Sequence, residues 1–342
     1  MMSSFERVAA ALRHELPDCV PVCPVMLLQG AAELGLSLET YFSQGDHLAA
    51  GQLRLLEKFG HDVVFGFPHV VEDITAFGGR LLFATNGPPS PAGAAIQSYD
   101  DVYRLTIPDP LSSPVLAETL RAIQRLSEQV RGEVPVLGAC IAPFSLPSML
   151  MSSERWMELL LIEEASIRAQ VMGILMDVSV EFCAAWANAQ LDAGADAIVL
   201  ADGMASATVI NRKQFIELAL PIVQTTIARI QGAVIYEGVG DLLPMLDLLR
   251  QTGAVGVMLT CNDDLAQAKA LVGRDLALIG NLNNIEMRRW SAAEMTAAAQ
   301  TALEQAAPGG GFMLAAQGPE IPLGVPDDVI HAMVRAAHGW RY

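Results

Sequence analysis

Short apolar, β-branched runs alternate with amphipathic stretches from one end of the chain to the other. Runs of this kind at Val20–Leu28, Asp62–Phe67, Val134–Cys140, Ala197–Leu200, Ala233–Tyr236, Val255–Leu259, Leu276–Gly280 and Gly311–Leu314 predict eight strands. Between and after them, helical periodicity covers 46–59, 115–130, 154–192, 211–230, 241–251, 264–271, 292–306 and 327–338. Strands that alternate with helices are parallel and joined by right-handed crossovers. Eight such units predict an α/β protein of the closed (β/α)8 barrel type. A doubly wound open sheet is the alternative. It calls for a glycine-rich phosphate turn, and no GxGxxG or Walker A sequence follows any of the strands. Gly309–Gly311 precedes a strand, so it reads as a turn into the barrel. Arg80–Thr85 looks like an additional strand, and Asn86-Gly87-Pro88-Pro89 follows it as a turn. The expected organisation is one domain over 1–342, with an N-terminal helical extension and a β-excursion near 80–90.

Composition explains the run pattern. The chain has 342 residues, of which 52% are hydrophobic, and its mean hydropathy is +0.36. No apolar run approaches about 20 uninterrupted residues. The apolar excess therefore belongs to a parallel sheet buried on both faces, and no membrane partner is expected. Acidic residues number 38 and basic residues 21, a net charge of -17. Only Lys58, Lys213 and Lys269 are lysines, and they are scattered. A nucleic-acid partner needs clustered Lys and Arg, so none is expected. Cys19, Cys23, Cys140, Cys183 and Cys261 are widely spaced and odd in number. No signal-peptide core follows Met1–Arg13. The cysteines thus read as reduced thiols of a cytoplasmic protein.

In a barrel of this type the chemistry sits at the carboxyl ends of the strands. The polar residues there are Gln29; His69, Glu72 and Asp73; Asp202; Glu237; Thr260 and Cys261; Asn281, Asn283 and Asn284; and Gln317 and Glu320. The set is rich in carboxylates and amides and holds no Lys or Arg. Paired carboxyl groups in unlike environments divide acid and base roles. Glu237, Glu320 and Asp202 are therefore the candidate catalytic residues. Asp202 precedes Gly203 and is equally the residue type of a turn. Gln29, His69, Phe144, Met204, Asn281, Asn283 and Gln317 are the candidate substrate-binding residues.

The segments VVEDITAFGG (70–79), GACIAPFSL (138–146), DAGADAIVLADGMAS (192–206), IYEGVGD (235–241), DLALIGNLNN (275–284) and PGGGFMLAAQGPEIPLGVP (308–326) occur together. In that combination the chain resembles the uroporphyrinogen decarboxylase superfamily. It most resembles the corrinoid-dependent methyltransferase branch that includes the methylcobamide:coenzyme M enzymes. The resemblance implies a (β/α)8 barrel, in agreement with the strand count. True decarboxylases of the family carry an Arg-rich segment after the first strand for a substrate with eight carboxylates. Here that region reads MLLQGAAELG, with Gln29 and no Arg. The thiol-methylating branch holds zinc with a His-x-Cys pair after the fifth strand and a Cys after the eighth. The matching positions are Glu237, Val239 and Pro319, so soft thiolate ligation is lost. Glu237 and Cys261 are what remains for a zinc ion to find.

The resemblance implies a methyltransferase that moves a methyl group between a small methylated substrate and a separate corrinoid protein. The altered site suits the demethylating half-reaction, with a methyl ether-like donor. No D-x-H-x-x-G corrinoid segment occurs, so the corrinoid (cobalamin) is expected on a partner chain. Related barrels often pair, which makes a homodimer an expectation. The alternative is a decarboxylase or lyase of a smaller acid.

Overall fold

A computed structural model describes residues 2–342. Ten strands occur: β1 (Val22–Cys23), β2 (Val64–Phe65), β3 (Leu81–Leu82), β4 (Ser90–Pro91), β5 (Val136–Ile141), β6 (Ala197–Ala201), β7 (Ala233–Glu237), β8 (Gly256–Met258), β9 (Ala277–Leu282) and β10 (Phe312–Ala316). Eight of them form one parallel sheet, in the order β1-β10-β9-β8-β7-β6-β5-β2. This is the (β/α)8 barrel that the periodicity predicts. β3 and β4 form a separate antiparallel hairpin, the excursion expected near 80–90.

Side-chain alternation sorts each strand into an inner and an outer set. On β5, β6 and β7, Leu137, Ala139, Val199 and Ile235 point to the barrel axis and pack with Phe65, Met258, Ile279 and Met313. Cys140, Leu200 and Tyr236 point outward into the helix layer. Both faces are buried, which is why the strands read as continuous apolar runs. The N-terminal helix Ser4–Leu12 opens with a Ser3–Glu6 capping box. Its Val8 and Ala11 join the axial cluster, so the expected extension is the barrel's floor.

The ring has one weak seam, between β1 and β2. Pro21 and Pro24 flank β1 and cannot donate to a ladder. The expected strand Val20–Leu28 accordingly shrinks to two ladder residues. Asp62 takes over the closure. Its N–H donates to Val22 O at 3.0 Å, and its Oδ2 accepts from Val22 N at 2.8 Å. The same carboxylate accepts from Arg7 Nη1 at 2.5 Å, Ser4 Oγ at 2.8 Å and His338 Nε2 at 2.8 Å. One buried anion thus ties the N-terminal helix, both seam strands and the C-terminal helix Asp327–Gly339 together. Burial works against its charge, but the bonds from His338 and Val22 and the charge of Arg7 hold its pKa below the usual value.

Some helices differ from expectation. The stretch 154–192 is two helices, Ser153–Leu161 and Ala165–Asp192, with a break at 162–164 that no Gly or Pro announces. Ala165–Asp192 is long and apolar enough to cross a membrane, yet most of that window is buried inside the protein. The stretch 211–230 contains a widened π turn at Phe215–Ala219, just before Pro221, whose missing N–H cannot continue a regular ladder. Helices Gln29–Leu34, Leu38–Phe42 and Leu146–Met151 are too short to leave a periodic signal.

Asp62→Asn tests the seam. It removes one of the two carboxylates paired with Arg7, leaving Asp18, and the weakened charge-assisted hydrogen bonds are expected to cost about 1.5–3 kcal/mol. Urea unfolding at neutral pH reads that loss directly. Because the folded pKa is depressed, the stabilisation is present at neutral pH and is lost as pH falls through the folded value, below the ordinary carboxylate range.

Candidate active site

The carboxyl ends of the strands surround a cavity of about 390 Å³. Its wall is almost wholly apolar: Val25, Leu27, Phe65, Phe67, Val199 and Met258 come from strand ends and their extensions. Pro91 of the β3–β4 hairpin and Ser145, Ser148 and Met149 from the segment after β5 complete it. One acidic side chain lines it, Glu237, and no Lys or Arg does.

Glu237 reaches the cavity through strand register. Ile235 points to the axis, so the residue two positions on does too. In the ladder Glu237 stands beside Ala201 on one side and Met258 on the other. It is 7% exposed. Its Oε1 is buried with no hydrogen-bond partner among the described residues, and so is Oε2 of Glu320. Burial first, and then the neighbouring charge of Glu320, pushes Glu237 up to about 7. Burial alone pushes Glu320 up to about 7. Both carboxyl groups are therefore held well above the ordinary carboxylate range and change charge near neutral pH.

The loop that carries Glu320 is held by amides. Gln317 Oε1 accepts from Cys261 N at 2.8 Å, and Gln317 Nε2 donates to Asn284 Oδ1 at 2.9 Å. Asn284 Nδ2 donates to Glu320 O at 2.5 Å. From the other side Gln29 Nε2 donates to Ile321 O at 2.7 Å, and Ile321 N donates to Val25 O at 2.7 Å. Gln317 and Gln29 thus fix where Glu320 stands, and Gln29 keeps a buried, unpartnered Oε1.

The structure separates the other sequence candidates. His69 and Met204 line the cavity. His69 Nδ1 accepts from Val71 N at 3.3 Å, and burial lowers its pKa to about 4. Asp202 follows Ala201 and so faces outward, away from Glu237. It accepts from Ser145 Oγ at 2.5 Å and from Tyr236 Oη at 3.0 Å. Ser145 Oγ in turn accepts from Met204 N at 2.9 Å. Asp202 therefore positions Ser145 and Met204 instead of touching the cavity. Phe144 is fully buried against Trp156, 5.4 Å between ring centroids. Asn281 spends its NH2 on Thr260 O and Asp263 O, both at 2.7 Å. Asn283 Oδ1 accepts from Ile285 N and Glu286 N, each at 3.1 Å. None of these three lines the cavity. Glu72 and Asp73 lie behind it: Asp73 accepts from Ile141 N at 2.7 Å and Trp186 Nε1 at 2.9 Å.

Val239 and Pro319 line the same cavity as Glu237. The three positions that match the zinc ligands of the thiol-methylating branch therefore converge, but two of them carry no donor atom. Cys261 does not line the cavity. Among the described residues no three His, Cys, Asp or Glu side chains come together as a metal set. The donor set does not fit zinc, and the chemistry available is that of a buried carboxyl pair. Ser145, Ser148 and the hairpin's Pro91 escape strand-end reasoning. The one hint for the serines is that they follow Pro143, which ends β5.

Gly318 explains how Glu237 fits. A methyl group at Gly318 would overlap Oε1 of Glu237 and crowd its Cδ at 2.8 Å. Gly318→Ala is expected to destabilise the fold by about 1–3 kcal/mol through overpacking. In a Glu237→Ala background the same change is expected to cost almost nothing. A double-mutant cycle by denaturant unfolding measures that coupling.

The profile of the family described as Uroporphyrinogen decarboxylase (URO-D) matches residues 3–340. Among curated relatives, the uroporphyrinogen decarboxylase of Mannheimia succiniciproducens is 24% identical over 298 residues, covering 81% of each chain. The methylcobamide:CoM methyltransferase MtaA of Methanosarcina barkeri is 26% identical over 345 residues, covering 98% of each chain. A solved methyltransferase from Methanosarcina mazei superposes with a TM-score of 0.87 over 98% of each chain, at 23% identity. With the barrel, its seam and its mouth all falling inside the matched span, the chain belongs to the uroporphyrinogen decarboxylase family.

Proposed function

We propose that this protein is a methyltransferase that moves a methyl group between a small methyl ether-like substrate and a separate corrinoid protein, acting as the O-demethylase component. The observation that carries the reading is the apolar mouth cavity with one protonatable carboxyl in its wall, Glu237, raised by burial and by its neighbour Glu320, and no Lys or Arg. The resemblance to MtaA along 98% of both chains supports the same reaction class. A cavity of about 390 Å³ takes a small molecule. It is too small for a corrinoid ring, so the methyl acceptor meets the substrate at the rim, on a partner chain.

The reduced corrinoid supplies the nucleophile for the methyl carbon. The protein's own work is to bind, to dry and to protonate. Phe65, Phe67, Leu27 and Met258 exclude water and hold the substrate body. An alkoxide is a poor leaving group, so the C–O bond breaks only if the oxygen gains a proton as it leaves. Glu237, protonated near neutral pH, stands in the cavity wall and gives that proton. The bond to carbon breaks, an O–H bond forms, and the carboxyl becomes a carboxylate beside Glu320. Asp202 holds Ser145 and Met204 at the wall, and the Gln29 and Gln317 amides hold Glu320. A decarboxylase reading asks the same cavity to bury a substrate carboxylate against two glutamates. Without a cation in the wall that carries a heavy desolvation cost.

Methyl transfer from an aryl or alkyl methyl ether to reduced corrinoid protein tests the proposal. Glu237→Gln is expected to lower kcat/KM about 10²–10⁴-fold, the usual worth of a general acid. The wild-type rate is expected to fall as pH rises through about 7, because the proton is then lost. The variant loses that pH dependence. Full activity in both Glu237→Gln and Glu320→Gln contradicts the assignment.

A further inference from the structure

The one acidic side chain in the cavity wall, Glu237, has no counter-charge beside it in that wall, and an acceptor of its neighbour Glu320 and one of Gln29 are likewise unpartnered. Oε1 of Glu237, Oε2 of Glu320 and Oε1 of Gln29 are buried without partners. All three are acceptors when the carboxyls are ionised. Glu237 lines the cavity, and its side chain is more than nine-tenths buried at 7% exposure. No Lys or Arg lines the wall. The one histidine there, His69, gives its Nδ1 lone pair to Val71 N and is held neutral by burial. An anionic or acceptor-rich ligand brings more acceptors to groups that already lack donors. A cation or donor relieves them.

The rest of the wall narrows the kind of cation. Phe65 and Phe67 line the cavity, 5.9 Å apart and edge to face, and Met204 and Met258 lie beside them. A compact, strongly hydrated ammonium loses too much water in such surroundings. A methylated ammonium spreads its charge over an apolar surface and binds aromatic rings well. The chain's net charge of -17 favours the approach of cations over anions.

We propose that the mouth selects a methyl donor whose body carries a methylated ammonium or similar onium cation, and that this cation is the missing partner of the Glu237–Glu320 pair. The proposal rests on the methyl-transfer reading and names its substrate class. A pair holding one proton offers two things at once. The proton goes to the leaving oxygen, and the remaining negative charge holds the cation. When the C–O bond breaks, the methyl group passes to the corrinoid, and the carboxyl proton forms the product's O–H bond. The pair, now with two negative charges, takes up a proton from water as the alcohol leaves.

Calorimetric titration of the purified full chain separates the cases. The probes are (2-methoxyethyl)trimethylammonium, its neutral carbon isostere 1-methoxy-3,3-dimethylbutane, and methoxyacetate. The cation is expected to bind about tenfold or more tightly than the isostere, and methoxyacetate more weakly than both. The preference is expected to collapse in Glu320→Gln. Phe67→Leu is expected to weaken the cation severalfold more than the isostere. Equal affinity for cation and isostere, tighter binding of the anion, or no binding of the cation at millimolar concentration overturns the proposal. Methyl transfer from the same probes to reduced corrinoid protein is scored separately. Equal kcat/KM from the neutral ether overturns cation selection and leaves methyl transfer standing. A cation preference in binding with transfer from none of the probes keeps the selection and overturns the methyl-transfer reading.

Discussion

Closing eight parallel strands into a ring is the constraint on which the rest of this molecule depends. Once the ring is closed, alternate residues of each strand must face the axis, and the last of them must face the mouth. The prolines beside β1 leave that ring one ladder short. Asp62 replaces the ladder with a buried carboxylate that accepts four hydrogen bonds from three parts of the chain, the N-terminal helix, β1 and the C-terminal helix. The substitute is electrostatic where the other seven joints are backbone ladders. It sits at the opposite end of the barrel from the cavity, so stability and chemistry are kept apart, as this fold generally keeps them.

At the mouth the same geometry produces the chemistry. Glu237 faces the cavity because Ile235 faces the axis, and Asp202 faces the helices because Ala201 faces the axis. Two acids at neighbouring strand ends thus acquire unlike jobs. Asp202 finds Ser145 and Tyr236 and becomes a fixed support. Glu237 finds no donor, and burial beside Glu320 raises its pKa to about 7. In this chain Val239 and Pro319 bring no donor atom to the wall, and Glu237 is the one ionisable acid there.

Much of this was legible in the sequence, for physical reasons that differ by element. The barrel was legible because strands buried on both faces leave long apolar runs. Glu237 was legible because it interrupts such a run at its carboxyl end. The roles of Gln29, Asn281, Asn283 and Gln317 were not. An amide at a strand end looks the same whether it meets a ligand or holds a loop, and these meet backbone carbonyls, backbone N–H groups or the amide of Asn284. Phe144 was hidden for a similar reason, since an aromatic after a strand serves the helix layer as readily as the mouth. Ser145 and Pro91 reach the cavity through a short helix and a hairpin, and neither has a periodic signature. The split of 154–192 was also invisible, because the break at Ile162 uses ordinary helix-forming residues.

The central claim is that Glu237, in the wall of an apolar cavity, and its neighbour Glu320 both change charge near neutral pH. Carboxyl-selective ¹³C NMR of glutamate-labelled protein, titrated from pH 4 to 9, tests it most directly. The account predicts two coupled carboxyl signals that titrate near pH 7, apart from the ordinary glutamates, and one such signal left in Glu237→Gln. Titration of every glutamate in the ordinary carboxylate range would contradict it.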